Sequence, residues 1–579
     1  MSRPTSRALR PALLALVALG GALPLAAQNA PAGGAPAAAP LPSLPLKRAA
    51  TPTTGAISAA DLMSRLYVYA DDSLGGREVG TAGHVAATTW LAAEVKRMGL
   101  KPAGDSGTYF QTLPLKRKKV DPMSSFVAGG ASLTLGQEWG FLARAPITVD
   151  SAPVVYGGVL GDTTARLTEE QARGKVVALT LRLSQEAVQA ALEGRNLAPA
   201  TAAGLLIIAP AQVRGLLPYV LRGGDFMDDG LDPGPRLYVM ADAAAKLFAS
   251  PLDKLAPGTE GTTVRIKAVV DVAPAPFPAR NVVALLPGSD KALASQYVAV
   301  GAHSDHVGVA RRPLDHDSIL VFNRIVRPGG AEDEGKFASK EQQERINGEL
   351  AELRKSRPAR PDSIFNGADD DGSGTVAVLE VAEQLASLKV KPKRSTLFVW
   401  HAGEEKGLWG SAWYTEHPTV PRDSIVAQLN MDMVGRGAAT DLTGMTADGK
   451  ELRGGPTYLQ VVGSRRLSTE LGDLVEQVNR DRKHGFTFDY AMDANGHPMN
   501  IYCRSDHYEY AKWGIPVTFF TTGGHAAYHQ LTDEPQYIDY DHMAKVARLV
   551  ADLAVAVGNR PARPVVDKPR LDPRGSCKQ

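Results

Sequence analysis

Between residues 297 and 557, short apolar runs alternate with longer stretches in which apolar side chains return every three or four positions. The runs "YVAVGA" (297–302), "TLFVWHA" (396–402), "IVAQLNM" (425–431) and "IPVTFF" (515–520) are rich in β-branched and aromatic residues and predict strands. The stretches "GTVAVLEVAEQLASL", "STELGDLVEQVNR" and "DHMAKVARLVADLAVAV" carry the helical period. Near-continuous apolar strands alternating with amphipathic helices predict an α/β fold with a mainly parallel central sheet covered by helices on both faces. Such folds place their sites at the carboxyl ends of strands.

The pattern is different upstream. "TAGHVAATTWLAAEVKRMGLKPAG" has Val85, Trp90, Leu91 and Val95 at helical spacing and stops at Gly99 and Pro102, which predicts one helix. From about 122 to 275 the runs shorten to pieces such as "APVVYGGVLG" and "AAGLLIIAP", separated by glycine and proline and without a single histidine. We read 122–275 as an inserted β-rich accessory domain, with 57–121 the N-terminal part of the main domain, 276–558 its remainder and 559–579 a C-terminal tail.

The first residues carry Arg3, Arg7 and Arg10 ahead of "PALLALVALGGALPLAA", ending at Ala27. A charged start, a short apolar run and a small-residue ending predict a signal peptide over 1–27 and hence a secreted or periplasmic protein. The run is too short and too interrupted for a stable membrane span. Residues 28–56, mostly alanine, proline and glycine, read as a flexible linker. Sixty-four basic against 62 acidic side chains leave a net charge of +2, which argues against nucleic acid as a partner. Cys503 and Cys577 are the only cysteines. They exclude a cysteine-rich zinc module and leave one disulfide open in an oxidising compartment.

Polar residues with metal-ligand chemistry fall at the strand ends. "VGAHSDH" places His303 and Asp305 there, "HAGEEKG" places Glu404 and Glu405, "LNMDMVG" places Asp432, and "AYHQLTDEP" brings His529 after the last strand. "NGADDDGSG" puts three aspartates in the loop before a helix. Taken singly these are surface charges or a helix-capping turn. Five converging positions are another matter, because burying several unpaired carboxylates costs several kcal/mol each. Histidines and carboxylates without cysteine suit a borderline divalent ion such as zinc, and five ligating residues suit two ions sharing one carboxylate better than one tetrahedral site.

The ordered set "GAHSDH", "NGADDDGSG", "HAGEEKGLWGS", "LNMDMVG", "SDHYEYAKWGIP" and "YHQLTDEP" resembles the co-catalytic di-zinc exopeptidases of the bacterial leucyl aminopeptidase and aminopeptidase Y family. The accessory region resembles a protease-associated domain. The resemblance implies the zinc exopeptidase type of α/β fold and two zinc ions, one held by His303 and Asp432, the other by Glu405 and His529. Asp370 would bridge them, its peptide bond to Asp371 being typically cis. Glu404 is implied as the general base for a zinc-activated water, Asp305 as the residue that orients His303, and Tyr528 as a stabiliser of the oxyanion. Peptides are the implied substrates, cut at the N-terminal bond. For Asp369, Asp371, His306, His507 and His525, supporting or surface roles are the expectation.

One feature departs from the family's pattern. Between His303 and Asp370 lie 66 residues, including the charged helical stretch "SKEQQERINGELAELRKSR". This insertion, 309–363, reads as a surface excursion, with a cover over the site and a subunit contact as alternatives, so a homodimer stays open. Two other functional readings stand beside the aminopeptidase: a glutamate-carboxypeptidase-like exopeptidase, which needs basic residues around the pocket, and a receptor-like homologue without catalysis. The intact ligand set and Glu404 argue against the receptor.

Overall fold

The computed structural model describes residues 44–162, 166–183, 198–229 and 235–579. The expected signal peptide and the first part of the expected linker lie outside these residues. The described chain divides into two compact units: Pro114–Pro276, and 44–113 together with Phe277–Gln579.

The unit Pro114–Pro276 carries an eight-stranded sheet and a three-stranded one. In the larger sheet Ile147–Val159, Val176–Thr180, Gly204–Ala209 and Arg236–Met240 run parallel, and the outer strands are antiparallel. Its side chains alternate between faces: Val176 and Ala178 enter one core while Val177 and Leu179 enter another.

The second unit is built on a nine-stranded sheet. Its strands are β1 (Lys101–Pro102), β2 (Phe110–Leu113), β3 (Ala279–Leu286), β4 (Tyr297–His303), β5 (Ser395–His401), β6 (Ile425–Met431), β7 (Tyr458–Val462), β8 (Thr487–Asp489) and β9 (Val517–Thr521). Their order is β1-β3-β5-β4-β6-β9-β7-β8, with β2 on β3. The four central strands β5, β4, β6 and β9 are parallel. The expected parallel sheet forms this centre and recurs between β7 and β8, while β3 runs antiparallel to β5 and β7 antiparallel to β9. Antiparallel flanks on a parallel centre are common in large mixed sheets.

Both faces are covered. Val298, Val300, Phe398 and Trp400 pack with α1 (Ala59–Tyr69), α2 (Ala82–Arg97), α5 (Gly374–Ser387), α7 (Thr469–Asp481) and α9 (Tyr540–Asn559) in one core. The intervening Ala299, Leu397 and Val399 face Tyr414 of α6 (Trp409–Glu416) and Tyr508 and Tyr510 of α8 (His507–Ala511). The two-residue alternation of a strand thus serves two apolar layers at once. Residues 44–57 form no helix or strand, yet Thr51 N donates to Ser64 Oγ at 2.6 Å and Thr54 N to Asp61 Oδ2 at 2.9 Å. The end of the expected linker is held on α1.

The insertion folds as a strand pair, Val309–Asp315 against Pro361–Ile364, enclosing the helices α3 (His316–Val326) and α4 (Lys340–Ser356). A small core of Val321, Val326 and Ile346 joins the helices, and Asp317 receives Arg354 at 2.7 Å and Arg357 at 2.6 Å. Cys503 and Cys577 form a disulfide.

Candidate metal centre

The carboxyl ends of the four parallel strands deliver the expected residues to one place. His303 ends β4, Glu404 and Glu405 follow β5, Asp432 follows β6, and the loop after β9 brings Tyr528 and His529. Asp370 comes from the turn before α5, and its peptide bond to Asp371 is cis.

Asp370 divides its two oxygens between two halves of the site. Oδ1 lies 3.1 Å from His303 Nε2, which is 3.7 Å from Asp432 Oδ1. Oδ2 lies 2.9 Å from His529 Nε2, which is also 2.9 Å from Glu405 Oε2. His529 holds its ring there from a left-handed backbone conformation, φ 54°, which non-glycine residues adopt at a cost and keep where the surroundings impose it. Asp370 Oδ2 and His529 Nε2 make no hydrogen bond despite their closeness. Buried polar atoms that converge without pairing suit a cation, and the nitrogen and oxygen donors, with no sulfur, fit zinc. Candidate ligand atoms fall into two groups, His306, Asp370, Glu405 and His529 in one, and His303, Asp371 and Asp432 in the other.

Residues 281–554 match the model of peptidase family M28. That stretch, just under half of the chain, resembles an M28 peptidase domain. Over 196 residues it is 31% identical to leucine aminopeptidase 1 of the fungus Sclerotinia sclerotiorum, a match covering 32% of this chain and 46% of that protein. The chain thus spans about half the length of this relative. Among solved structures it is similar to an aminopeptidase from Aneurinibacillus sp. at 17% identity and a TM-score of 0.47, covering 89% of this chain and 98% of the other. A zinc aminopeptidase from Bacillus subtilis gives 16% and 0.44, with 86% and 94% covered.

Supporting contacts hold several of the candidate ligands. Asp432 Oδ2 accepts from Ser505 Oγ at 2.7 Å, and Ser505 in turn accepts from Asn430 at 3.0 Å. Asp371 Oδ2 accepts from His303 N at 3.0 Å, while its Oδ1 takes the amides of Gly374 and Met433. Asp533 accepts from the amides of Asp369 and Asp370. For His303, Nδ1 is 3.1 Å from the Asp305 carbonyl and 3.7 Å from its carboxylate. That carboxylate accepts instead from Gly403 N and Glu404 N, at 2.7 and 3.1 Å, and so holds the turn bearing both glutamates. Asp305 thereby fixes two elements of the site rather than one ring.

Among the residues set aside in the sequence, His306 stands out. It is fully buried, its Nδ1 lies 2.8 Å from Glu405 Oε1 and 3.8 Å from Asp370 Oδ2, and its Nε2 has no hydrogen-bond partner. A lone histidine three residues beyond a strand end gave little signal; its partner Glu405 lies about a hundred residues away in the chain. His525 pairs with Asp369 at 3.1 Å. His507 stacks on Phe519, 4.7 Å between ring centres, and burial pushes its pKa down to about 3. It has no part in the centre.

The charges are divided between the glutamates. Burial pushes Glu404 well above the ordinary carboxyl range; His303 opposes this, and the Asp432 and Glu405 carboxylates reinforce it. Glu405 is buried as well, yet the His529 and His306 imidazoles hold it at about 2. Glu404, Asp370, Asp432 and Tyr528 open into one cavity of about 140 Å³, whose far wall is apolar: Met433, Leu442, Met492, Met499, Ile501 and Phe519.

Proposed function

We propose that the chain is an exported zinc aminopeptidase that removes apolar residues from the N-terminus of peptides. The observation that carries this reading is the carboxylate of Asp370 set between His303 and Asp432 on one side and Glu405 and His529 on the other, with Glu404 facing the same cavity.

His303 and Asp432 would hold one zinc ion and Glu405 and His529 the second, with Asp370 shared and His306 steadying Glu405. When bound, the two ions polarise the scissile carbonyl and favour ionisation of the attacking water. Glu404 takes the proton of that water and returns it to the leaving amine, a role that its position on the cavity allows without displacing Glu405. Tyr528 faces the same space and can donate its hydroxyl to the oxyanion. A free α-ammonium group entering the cavity would find the carboxylates of Glu404 and Asp432 in its lining, and the methionine-rich part of that lining would accept a large apolar side chain. The name of the fungal relative, leucine aminopeptidase 1, agrees with that preference.

A carboxypeptidase reading needs cations to receive an α-carboxylate. Among the described residues lining the cavity, Arg504 is the one basic side chain, and Glu332 pairs with it. Export is supported by the N-terminal pattern and by the Cys503–Cys577 disulfide, a bond that persists in oxidising compartments. Among the described residues no helix is long and apolar enough to cross a membrane.

The test is a panel of one peptide with a free N-terminus, an acetylated N-terminus or an amidated C-terminus, assayed with and without a chelator. Cleavage of the free and amidated forms only, abolished by the chelator, is the expected result. Cleavage that survives acetylation and is lost on amidation would favour the carboxypeptidase.

A further inference from the structure

The insertion reaches the cavity. Gly329, Glu332 and Asp333, from the loop after α3, line it beside Tyr528. Three contacts place this loop. Ala331 N donates to Tyr528 O at 3.1 Å. Gly330, at φ +60°, lies so close that an added Cβ would stand 2.6 Å from that same carbonyl oxygen. At the strand pair, Arg360 grips Glu534 with two hydrogen bonds of 2.8 and 2.6 Å, joining the insertion to the end of the loop that carries His529. The position of Glu332 is therefore set by the fold.

Glu332 forms an ion pair with Arg504. Both side chains are 38% exposed, at the mouth of the cavity. The neighbouring Asp333 is committed elsewhere: its Oδ2 accepts from Gly329 N at 2.9 Å and its Oδ1 lies 2.9 Å from Lys336. Remaining acidic residues of the lining, Asp370, Glu404 and Asp432, belong to the metal centre. Among the described residues of its lining, the cavity thus combines apolar side chains with one cation, and that cation is paired with a residue from the insertion.

We propose that Glu332 is a specificity-determining residue: by pairing with Arg504 it denies that cation to substrate, so that the cavity takes neutral apolar side chains and discriminates against acidic ones. The proposal deepens the aminopeptidase reading and rests on it. Discrimination of this kind works by occupying or opposing a charge rather than by adding an attractive contact. Arg504 also meets the Tyr528 hydroxyl; without Glu332, the rest of its planar guanidinium fork is available to a carboxylate entering the cavity.

The experiment measures kcat and KM for the anilides of leucine and glutamate with the zinc-loaded wild-type protein, Glu332→Gln, Glu332→Ala and Glu332→Asp. The expected result is a rise of about tenfold or more in the glutamate-to-leucine ratio of kcat/KM in the Gln and Ala variants, carried by KM for the glutamate substrate. Asp at this position should restore a ratio near that of the wild type. The gain should shrink as salt is added and vanish when Arg504→Met is combined with Glu332→Gln. A ratio that stays within about twofold of wild type in both variants overturns the proposal, as does a gain that survives loss of Arg504. If the wild-type protein hydrolyses neither anilide, the aminopeptidase reading fails instead, and calorimetric binding of free glutamate and leucine to the same variants still decides the role of Glu332.

Discussion

Asp370 turns one carboxylate oxygen to His303 and the other to His529, while Glu404 lines the cavity beside it, the place of the proton acceptor in the proposed function. Glu404→Gln keeps the shape and removes the basicity. Zinc content should persist while kcat on leucine anilide falls by two orders of magnitude or more; unchanged turnover would remove Glu404 from the mechanism. The pH dependence has a defined sign. Burial raises the Glu404 pKa, and only the ionised form accepts a proton, so kcat/KM should fall as pH drops through that value. Cations beside it favour the carboxylate and move the acid limb downward. A pH profile of the zinc-loaded protein should show this limb, and the residual activity of Glu404→Gln should lack it. Ser505→Ala removes the hydroxyl that orients Asp432, and a loss of roughly 10- to 100-fold in metal affinity or activity is expected, read by zinc titration. Most of the candidate ligands could be picked out because they sit at or just after a strand end; Asp370, in the turn before α5, and His529, in the loop after β9, stood out by their motifs. His306 was not legible, since its contact with Glu405 depends on how two loops meet.

The elements show where local pattern suffices. Helices α5, α7 and α9 and the four central strands were readable from periodicity, because each buries a continuous apolar face in the sheet's two layers. The flanking strands β3 and β7 were not, since "ARNVVALL" and "TYLQVV" mix polar and apolar residues and acquire their antiparallel partners only in the folded sheet. Within the insertion, the charged helix α4 was legible but its docking was not. One contact in that docking is a glycine. Gly330→Ala puts a side chain on a left-handed backbone and against the Tyr528 carbonyl. A loss of about 1–3 kcal/mol is expected from the combined strain and overlap, measured by thermal unfolding. An increase in KM should accompany it, because the displaced carbonyl belongs to the residue beside His529. Wild-type stability and KM in this variant would detach the insertion from the site.

For the whole molecule, two links lie outside any local pattern. The Cys503–Cys577 disulfide closes a separation of 74 residues and ends one residue from Arg504. By loop entropy its removal costs about 4 kcal/mol at most, so Cys577→Ser should lower the unfolding temperature, and added reductant should lower that of the wild-type protein but leave the variant unmoved. The second link is the metal. Sequence spacing brought the ligands into one reading, and the parallel centre of the sheet accounts for their meeting, since β5, β4, β6 and β9 all end at the same edge. A cation that binds the folded protein alone stabilises it by mass action. Elemental analysis and calorimetric zinc titration of the purified protein and of Asp370→Asn therefore test the central claim most directly. Two equivalents of zinc per chain in the wild-type protein, with the first bound tightly and both weakened by the substitution, is the predicted result. A folded wild-type protein that holds no transition metal and takes up none would contradict it.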